Sequence, residues 1–422
     1  MQPLLGFVGM THLGLVSGAS ASEKGFRVVC FDPDPARIAP LSQGILPVSE
    51  PSLQELVSKN QALIAFTSDP AALSACDVIY VAPDVPTDDF GSSDLGLINA
   101  LLERVFEAAR QDTVIVVLSQ VPPGFTRSMQ RADRTLYYQV ETLIFGRAVE
   151  RALQPERYIV GCEDPAQPLP APYGTFLAAH GCPVLLMRYE SAELAKISIN
   201  MCLVASISVA NTLAELCEHI GADWAEIVPA LKLDRRIGPY SYLAPGLGIA
   251  GGNLERDLAT VCNYADRYGT DAGVVRASIA NSHHRRDWVL GVLYREVLSK
   301  IDDQVIAILG LAYKQDTHSV KNSPSIALLE HLKPFQVRVF DPVVPASAAP
   351  HPRLYGAISE LDACEGADVL VVMTPWSQFS KLDPVDIAKK LRGSVVLDPY
   401  GVLGAATCRR AGLNYRMLGT QT

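Results

Sequence analysis

The spacing of hydrophobic and polar positions divides the chain into three regions. Up to residue 187, short runs of Val and Ile, such as residues 77–83 and 113–119, lead into loops that are rich in Gly, Pro and Asp. They alternate with stretches that are compatible with helices. Runs that are almost continuous in β-branched residues predict parallel strands that are buried on both faces. Residues 1–187 are therefore predicted to form a doubly wound α/β domain.

The spacing of hydrophobic residues differs between the second and third regions. Residues 191–220 contain no Pro or Gly and carry apolar residues at helical spacing, which predicts one long helix. Helical patterning continues to residue 298, and strand-like runs return from residue 304 onward. We predict a helical domain at 188–298 and a second α/β domain at 299–422. The fold class is thus two Rossmann-like domains joined by a helical domain with a long central helix.

The apolar coverage of the long helix is too wide for one neighbouring face, which predicts a homodimer. The amino-acid composition argues against some other classes of partner. With 49% hydrophobic and 19% charged residues, the chain can bury large cores, and its net charge of −9 argues against nucleic acid and acidic lipid. The nine cysteines are scattered without metal-type clusters, so we predict no metal site and a reducing, cytoplasmic location. No leader-like N-terminus is evident. No apolar run approaches the ~20 residues of a spanning helix, and no membrane partner is expected.

The first strand, turn, helix and strand form a βαβ unit around the sequence GMTHLG. In the usual GxGxxG turn, glycines let the backbone approach a pyrophosphate at a helix N-terminus. Here Thr11 replaces the middle glycine, while Asp32 ends the second strand and can accept ribose hydroxyls. No basic residue stands beside Asp32, which favours NAD over NADP, and His12 is expected to pack or to face solvent. The predicted cofactor residues of this turn are Gly9, Thr11, His12, Leu13, Gly14 and Asp32. A turn that binds no dinucleotide is the open alternative.

Several stretches resemble, in order and over nearly the whole chain, the UDP-glucose/GDP-mannose dehydrogenase family. They are SEPSLQELV (49–57), VPT (85–87), SQVPPGFTR (119–127), ETLIFGRAVERALQPERYIVG (141–161), SAELAKISIN (191–200), DRRIG (234–238), GGNLERDL (251–258) and GLAYKQDTHSVKNSPS (310–325). The resemblance implies two Rossmann-like domains, a dimerising central helix, NAD as cofactor and a nucleoside-diphosphate sugar as substrate. The family oxidises the C6 alcohol of such a sugar to a carboxylate in two hydride transfers, with a cysteine that captures the aldehyde between them.

The resemblance also implies roles for single residues. Lys196 and Asn200 lie four apart on one helix face and can donate hydrogen bonds to a developing oxyanion. Glu141 corresponds to a base and Asp257 to an aspartate that places the hydrolytic water. Asn253 stands at the position of the nucleophilic cysteine, and a carboxamide cannot form a thioester. The plain alternatives are a solvated Lys, a packed Asn and a surface Glu.

Further binding residues follow from the same likeness. On the cofactor side they are Pro83, Gln120 and Lys321. On the substrate side they are Leu143, Lys196, Arg236, Gly246, Gly248, Gly251 and Lys314, with Arg236 contributed across the dimer interface. Other departures are Gln120 for a threonine, Arg256 for a lysine and Tyr400 for an arginine. Cys262 is nine residues after Asn253 and is not expected to replace the missing thiol.

Three functions compete. The leading hypothesis is a dehydrogenase that still binds NAD and a nucleotide sugar but has lost the covalent step, which leaves a two-electron oxidation or a direct hydrate route. The second is an inactive paralogue that binds nucleotide sugar or regulates a partner enzyme. The third is a β-hydroxyacid dehydrogenase, which the predicted C-terminal α/β domain argues against.

Overall fold

The computed structural model describes residues 2–86, 88, 92–299 and 303–421. Thr87, part of the 85–87 stretch noted above, lies outside the described residues. The chain divides into two units, residues 1–199 and 200–422. The division falls inside the long helix, which gives its first three turns to the first unit.

The first unit is built on one eight-stranded sheet. Its strands are β1 Leu5–Val8, β2 Val28–Phe31, β3 Ile64–Thr67, β4 Val78–Val81, β5 Val114–Val117, β6 Thr135–Gln139, β7 Tyr158–Cys162 and β8 Val184–Arg188. Its helices are α1 His12–Glu23, α2 Pro35–Ser42, α3 Leu53–Lys59, α4 Gly96–Ala108, α5 Phe125–Ser128, α6 Ala148–Leu153, α7 Ala171–Ala178 and the start of α8 Tyr189–Ile220. The strand order is β3-β2-β1-β4-β5-β6-β7-β8, and its pairs are parallel except β6 with β7.

The second unit carries the rest of α8 and a six-stranded parallel sheet of order β11-β10-β9-β12-β13-β14. The strands are β9 Val305–Leu309, β10 Gln336–Phe340, β11 Leu354–Gly356, β12 Val369–Val372, β13 Val395–Leu397 and β14 Asn414–Arg416. The helices are α9 Trp224–Leu233, α10 Asn253–Tyr268, α11 Gly273–Arg286, α12 Trp288–Leu293, α13 Pro324–His331, α14 Glu360–Cys364, α15 Pro384–Lys390 and α16 Ala405–Arg410. Both sheets reverse their winding beside the first strand of the sheet, between β1 and β4 and between β9 and β12. In this architecture, that crevice is where ligands bind.

The two α/β halves repeat the same local design. Gly9 follows β1 and Gly310 follows β9, and both have a positive φ, of 95° and 100°. Asp32 ends the neighbouring strand and accepts the Met10 N–H, while Asp341 accepts the Leu311 and Ala312 N–H groups in the same way. The two α/β regions therefore share the same arrangement at their first turns.

The central strands match the sequence prediction because they are continuous in Val and Ile and completely buried. The β4 and β5 strands are each three residues shorter than the runs 77–83 and 113–119. The Gly, Pro and Asp residues at the ends of these runs form loops instead of strands. Four strands, β3, β6, β11 and β14, were not predicted, because they are half-exposed, aromatic or only three residues long.

The long helix was predicted at 191–220 and begins two residues earlier. Among the described residues it is the one helix with the length and composition of a membrane span, with a mean hydropathy of 1.6 over its most apolar part. The sequence expectation concerned unbroken apolar runs of ~20 residues. It missed this helix, because small and polar residues interrupt the apolar run without lowering its mean hydropathy much. A core or interface helix of a soluble protein meets the same two criteria.

Candidate functional site

The first βα turn of the first unit has the backbone of a dinucleotide-binding turn. Gly9 adopts a φ of 95°, and a Cβ there would lie 2.9 Å from the backbone nitrogen of Pro83. At Gly14, a Cβ would lie 2.0 Å from the carbonyl oxygen of Gly9. Both glycines are therefore required by close packing, and Pro83, in the loop after β4, lies against Gly9. Leu13 is buried in the core below it. This cradle fits the pyrophosphate and adenosine ribose of NAD.

Thr11 occupies the N-cap of α1, and its contact is with the loop after β4. The Thr11 hydroxyl accepts a hydrogen bond of 2.8 Å from the Asp84 N–H. In return, the Asp84 carboxylate accepts one of 3.0 Å from the backbone N–H of His12, the first residue of α1. The positive end of the helix is therefore in contact with a carboxylate of this chain.

Asp32 is buried at the end of β2 and accepts the Met10 N–H at 2.8 Å. The expectation that no basic residue lies beside it was wrong. Arg37, in the first turns of α2, brings its guanidinium to 3.4 Å from the Asp32 carboxylate. Arg37 lies five positions after Asp32 in the sequence, and the first turn of α2 brings its side chain back to the end of β2. An acidic side chain at this point still suits the ribose hydroxyls of NAD.

His12 is buried, which is one of the two outcomes expected for it. Its Nε2 lies 3.0 Å from the Glu50 carboxylate, and its ring packs 4.2 Å from that of Phe145. Glu50 also accepts the N–H groups of Gly146 and Ala148, at 3.1 and 2.8 Å. One buried carboxylate thus ties the first turn of α1 to the loop that follows β6.

That loop carries Glu141. Its carboxylate lies 3.3 Å from the Lys196 Nζ of α8, with both side chains mostly buried. The other carboxylate oxygen accepts the N–H of Leu143. The structure therefore brings the predicted base Glu141, the predicted donor Lys196 and the predicted substrate residue Leu143 together within the first unit.

In the second unit, Asn200 and Asp257 form the core of a buried polar cluster. The Asn200 amide donates to the Asp257 carboxylate at 2.5 Å, and the Arg256 Nε lies 3.2 Å from the same carboxylate. Asp257 is 1% exposed. A buried carboxylate that contacts both a cation and an amide donor has a fixed orientation.

The loop of residues 245–252 packs against other residues of the second unit. The Gly246 N–H donates to Asn211, and the Gly251 N–H donates to the carbonyl of Lys321 at 3.2 Å. Gly251 and Gly252 have φ values of 95° and 97°. A Cβ on Gly251 would lie 2.4 Å from the ring of Tyr313, so the loop tolerates no side chain there.

Asn253 follows directly as the exposed first residue of α10. Glu255, two residues on, accepts the Gly252 N–H and the Asn322 amide. Cys262 lies in the same helix as Asn253, nine residues further along. The loop therefore presents the position of the family's nucleophile at a helix N-terminus, where negative charge is stabilised.

The remaining predicted residues lie around this loop or on the surface. Gly248 is packed against Ser282, where a Cβ would lie 2.4 Å from the Ser282 carbonyl oxygen. Tyr400 faces Gly246, and burial raises the pKa of its hydroxyl. Lys314 lies in the loop after β9, with its Nζ 5.8 Å from the ring of Tyr313. Gln120 follows β5 in the first unit.

Arg236 has an 88% exposed side chain and pairs with Asp234 at 2.6 Å. Within the described ranges, no group of three or more His, Cys, Asp or Glu side chains could hold a metal ion. The prediction of no metal site stays a prediction.

Four residues near these sites were missed from the sequence: Arg37, Glu50, Asp84 and Glu255. Glu50 was within a stretch noted for its family likeness, and Asp84 is adjacent to Pro83, but neither carries a pattern of its own. Their partners are 38 or more residues away for Glu50 and 72 or more for Asp84. Contacts of that separation depend on the folded sheet.

Family comparisons agree with this geometry. Residues 4–170 match the NAD binding domain of the UDP-glucose/GDP-mannose dehydrogenase family, 190–283 match its central domain and 307–405 match its UDP binding domain. The UDP-glucose 6-dehydrogenase of Pseudomonas aeruginosa is 30% identical, with 98% of this chain and 96% of that protein covered. The Rickettsia conorii enzyme of the same name is 29% identical, covering 98% and 99%.

Comparison with solved structures points to the same family. A UDP-glucose dehydrogenase from Pyrobaculum islandicum superposes with a TM-score of 0.86 and 25% identity, covering 100% of this chain and 98% of that one. The UDP-D-ManNAc dehydrogenase of Pyrococcus horikoshii has the same fold, with a TM-score of 0.83, 21% identity and 99% of both chains covered. With three domain models matched in order and a 30% identical relative matched from end to end, the chain belongs to the UDP-glucose/GDP-mannose dehydrogenase family.

Proposed function

We propose that this protein is an NAD-dependent dehydrogenase of a nucleoside-diphosphate sugar, of the UDP-glucose type, that removes two electrons per turnover. Such an enzyme would supply polysaccharide precursors. The proposal rests on Asn253, an asparagine at the exposed start of α10, where the family resemblance places the nucleophilic cysteine. A fold that keeps both binding domains and lacks the thiol can do the first oxidation without the thioester step.

The chemistry of one hydride transfer needs a base and an oxyanion partner. The Glu141 carboxylate would take the proton of the substrate hydroxyl, and the Lys196 ammonium, 3.3 Å away, would stabilise the developing negative charge on that oxygen. Asn200 lies four residues after Lys196 on the continuous helix α8 and has a second amide hydrogen besides the one donated to Asp257. NAD, when bound, accepts the hydride. The balance is one sugar carbonyl, one NADH and one proton per turnover.

A second oxidation through an aldehyde hydrate is the runner-up route. It would need Asp257 and Glu141 to activate water directly. Asp257 is buried and its carboxylate is already bound by Asn200 and Arg256, which argues against a free water-activating base at that position.

The test is turnover with a panel of nucleotide sugars, UDP-glucose first because relatives carry that name. NADH is counted by absorbance and products by mass. We expect one NADH per sugar and a carbonyl product, or its hydrate. Two NADH per sugar with a uronate product would refute the two-electron proposal.

An inactive paralogue that binds nucleotide sugar is the second candidate. It is favoured by one observation, the Asp84 carboxylate at the N-terminus of α1, because this is where a pyrophosphate would bind. Calorimetry separates the two candidates. Binding of a nucleotide sugar without NAD binding at millimolar concentration would favour the paralogue. The β-hydroxyacid alternative is disfavoured by the second sheet and its match to a UDP binding domain.

The assembly proposed is a cytoplasmic homodimer with domains at 1–187, 188–298 and 299–422. Four side chains on α8 form an apolar stripe at alternating spacings of four and three residues: Val209, Leu213, Leu216 and Ile220, which are 54, 40, 50 and 62% exposed. This spacing is typical of a helix that packs along another helix. A second copy of the chain is the simplest partner, and the exposed Arg236 would then reach the neighbouring subunit's substrate.

A further inference from the structure

The first turn of α1 contains a reciprocal pair of hydrogen bonds that the proposed function does not need. The Asp84 N–H donates to the Thr11 hydroxyl at 2.8 Å, and the Asp84 carboxylate accepts the His12 N–H at 3.0 Å. The Thr11 backbone is extended, with φ −93° and ψ −169°, and its hydroxyl makes no capping bond to its own helix. The Thr11 hydroxyl therefore binds the loop after β4 and does not cap α1.

The position of this pair conflicts with dinucleotide binding. A pyrophosphate binds at a helix N-terminus because the first N–H groups and the helix dipole attract negative charge. Here the first of those N–H groups, on His12, already meets a carboxylate. Asp84 would compete with the pyrophosphate for this donor and would repel it, because both are anions.

The pair is also built so that it can open. Asp84 is exposed, so moving its side chain away uncovers little apolar surface. Pro83 beside it is buried against Gly9, which fixes where the loop leaves the sheet. Only the side chain of Asp84 needs to move to free the His12 N–H.

We propose that Thr11 and Asp84 form a latch across the first turn of α1 that lowers the affinity for dinucleotide and opens when it binds. This inference rests on the proposed NAD-dependent function. Thr11 then has a positive role: where a glycine would leave the turn open, its hydroxyl holds Asp84 in place. The latch sets the cofactor concentration at which the enzyme becomes loaded.

The experiment measures NADH binding to the full-length protein by calorimetry and by NADH fluorescence, without sugar. Asp84→Asn keeps the shape and removes the charge, and Thr11→Val removes the hydroxyl acceptor at nearly constant size. We expect Asp84→Asn to lower the Kd for NADH about tenfold, as expected for one anion removed from a helix N-terminus. Thr11→Val should lower it less, and the double variant should not exceed Asp84→Asn by the full effect of Thr11→Val, because both release the same contact.

Thr11→Ser is the conservative variant: because it keeps the hydroxyl acceptor, its Kd for NADH should be higher than that of Thr11→Val. The advantage of Asp84→Asn should shrink at high salt, because an exposed charge is screened. Thermal unfolding without ligand verifies that each variant is folded.

The outcomes separate the latch from the function. If the wild type binds NADH and Asp84→Asn binds it equally or more weakly, the latch is refuted and the proposed function stands. If neither the wild type nor any folded variant binds NADH at millimolar concentration, while a nucleotide sugar binds, both are refuted.

Discussion

At the scale of single residues, the predicted catalytic groups are found in two pairs, one in each unit. Lys196 contacts Glu141, and Asn200 contacts Asp257. Each pair joins a side chain from α8 to one from a loop or helix far away in sequence. Pairing fixes the orientation of each group before substrate arrives, which is how a preorganised site lowers the barrier of the chemical step.

Lys196→Met should remove the cationic partner of the substrate oxygen while leaving the cofactor turn intact. We expect kcat to fall by about 10²–10³-fold, the usual effect of deleting one oxyanion donor. The NADH Kd should not change. Steady-state kinetics and calorimetry give the two numbers. Lys232→Met, on the exposed side of α9, is the control and should keep full kcat; an equal loss in both variants would contradict the role of Lys196.

Asn253→Cys tests whether the missing thiol alone limits the oxidation. The position is the exposed first residue of α10, where the helix N-terminus lowers the pKa of a cysteine and favours its thiolate. We expect some turnovers to yield two NADH and a uronate, read by absorbance and product mass. Asn253→Ser, a matched control of similar size, should keep one NADH per sugar. Failure of the cysteine variant to exceed the serine variant would show that Asp257 and its neighbours have also lost the second half-reaction.

At the scale of elements, the sequence predicted those strands and helices whose own hydrophobic pattern is distinctive. The central strands β4, β5, β9 and β12 consist almost entirely of Val, Ile and Leu, and α8 lacks helix breakers, so both kinds of element were found from spacing alone. The half-exposed strand β3 and the three-residue strands β11 and β14 lack any such pattern. The contacts of Asp84 and Glu50 could not be predicted, because each joins loops that only the completed sheet brings together.

The junction between α5 and α8 should show a distinctive pH dependence. Glu193 accepts the N–H groups of Gly124 and Thr126, and burial raises the pKa of its carboxyl above the usual value. A raised folded-state pKa gives stability that is present at low pH and lost as pH rises through it. Relative to Glu193→Gln, the wild type should therefore lose stability as pH rises above the ordinary pKa of a glutamate carboxyl and through the raised pKa of Glu193.

Glu190, one turn earlier, gives the opposite control. Its hydrogen bond from the Arg127 guanidinium lowers the pKa of its carboxyl. Its contribution is present above the unfolded-state pKa and is lost as pH falls through the folded one. Relative to Glu190→Gln, the wild type should therefore lose stability on acidification. Thermal unfolding of the three proteins at several pH values measures both trends, and equal slopes for the two variants would contradict the assignment.

The apolar stripe of α8 should be the dimer contact. Leu213→Asp puts a charge in its centre, and burying an unpaired charge between two helices is costly. We expect this variant to elute as a monomer in size-exclusion chromatography with light scattering, while the wild type is a dimer. Val274→Asp, on the exposed part of α11, carries the same change outside the stripe and should stay dimeric. A dimeric Leu213→Asp protein would place the interface elsewhere.

At the scale of the whole molecule, the C-terminal residues of the chain form hydrogen bonds with other parts of the second unit. Gly419 accepts the Trp224 N–H at 2.9 Å and donates to Glu218 at 3.1 Å, and Thr420 forms a bridge with Asp223. The C-terminal segment therefore ties the second sheet to α8 and α9 within one unit. This tie supports a central helical region that holds the loop of Arg236 outward, with its side chain almost wholly exposed.

The exposed Arg236 should act on the substrate of the neighbouring subunit. If so, Arg236→Ala and Lys196→Met should each be nearly inactive alone but complement each other in mixed dimers. In a mixed dimer, one site receives an intact Lys196 from its own chain and an intact Arg236 from its partner, while the other site lacks both. Purification through both tags leaves only mixed dimers, and each has one complete site of two, so about half of the wild-type activity should return. Activity is measured after co-expression of the two tagged variants and purification through both tags. No recovery in verified mixed dimers would mean that Arg236 serves its own subunit or none, whereas recovery would show that the site is complete only in the dimer.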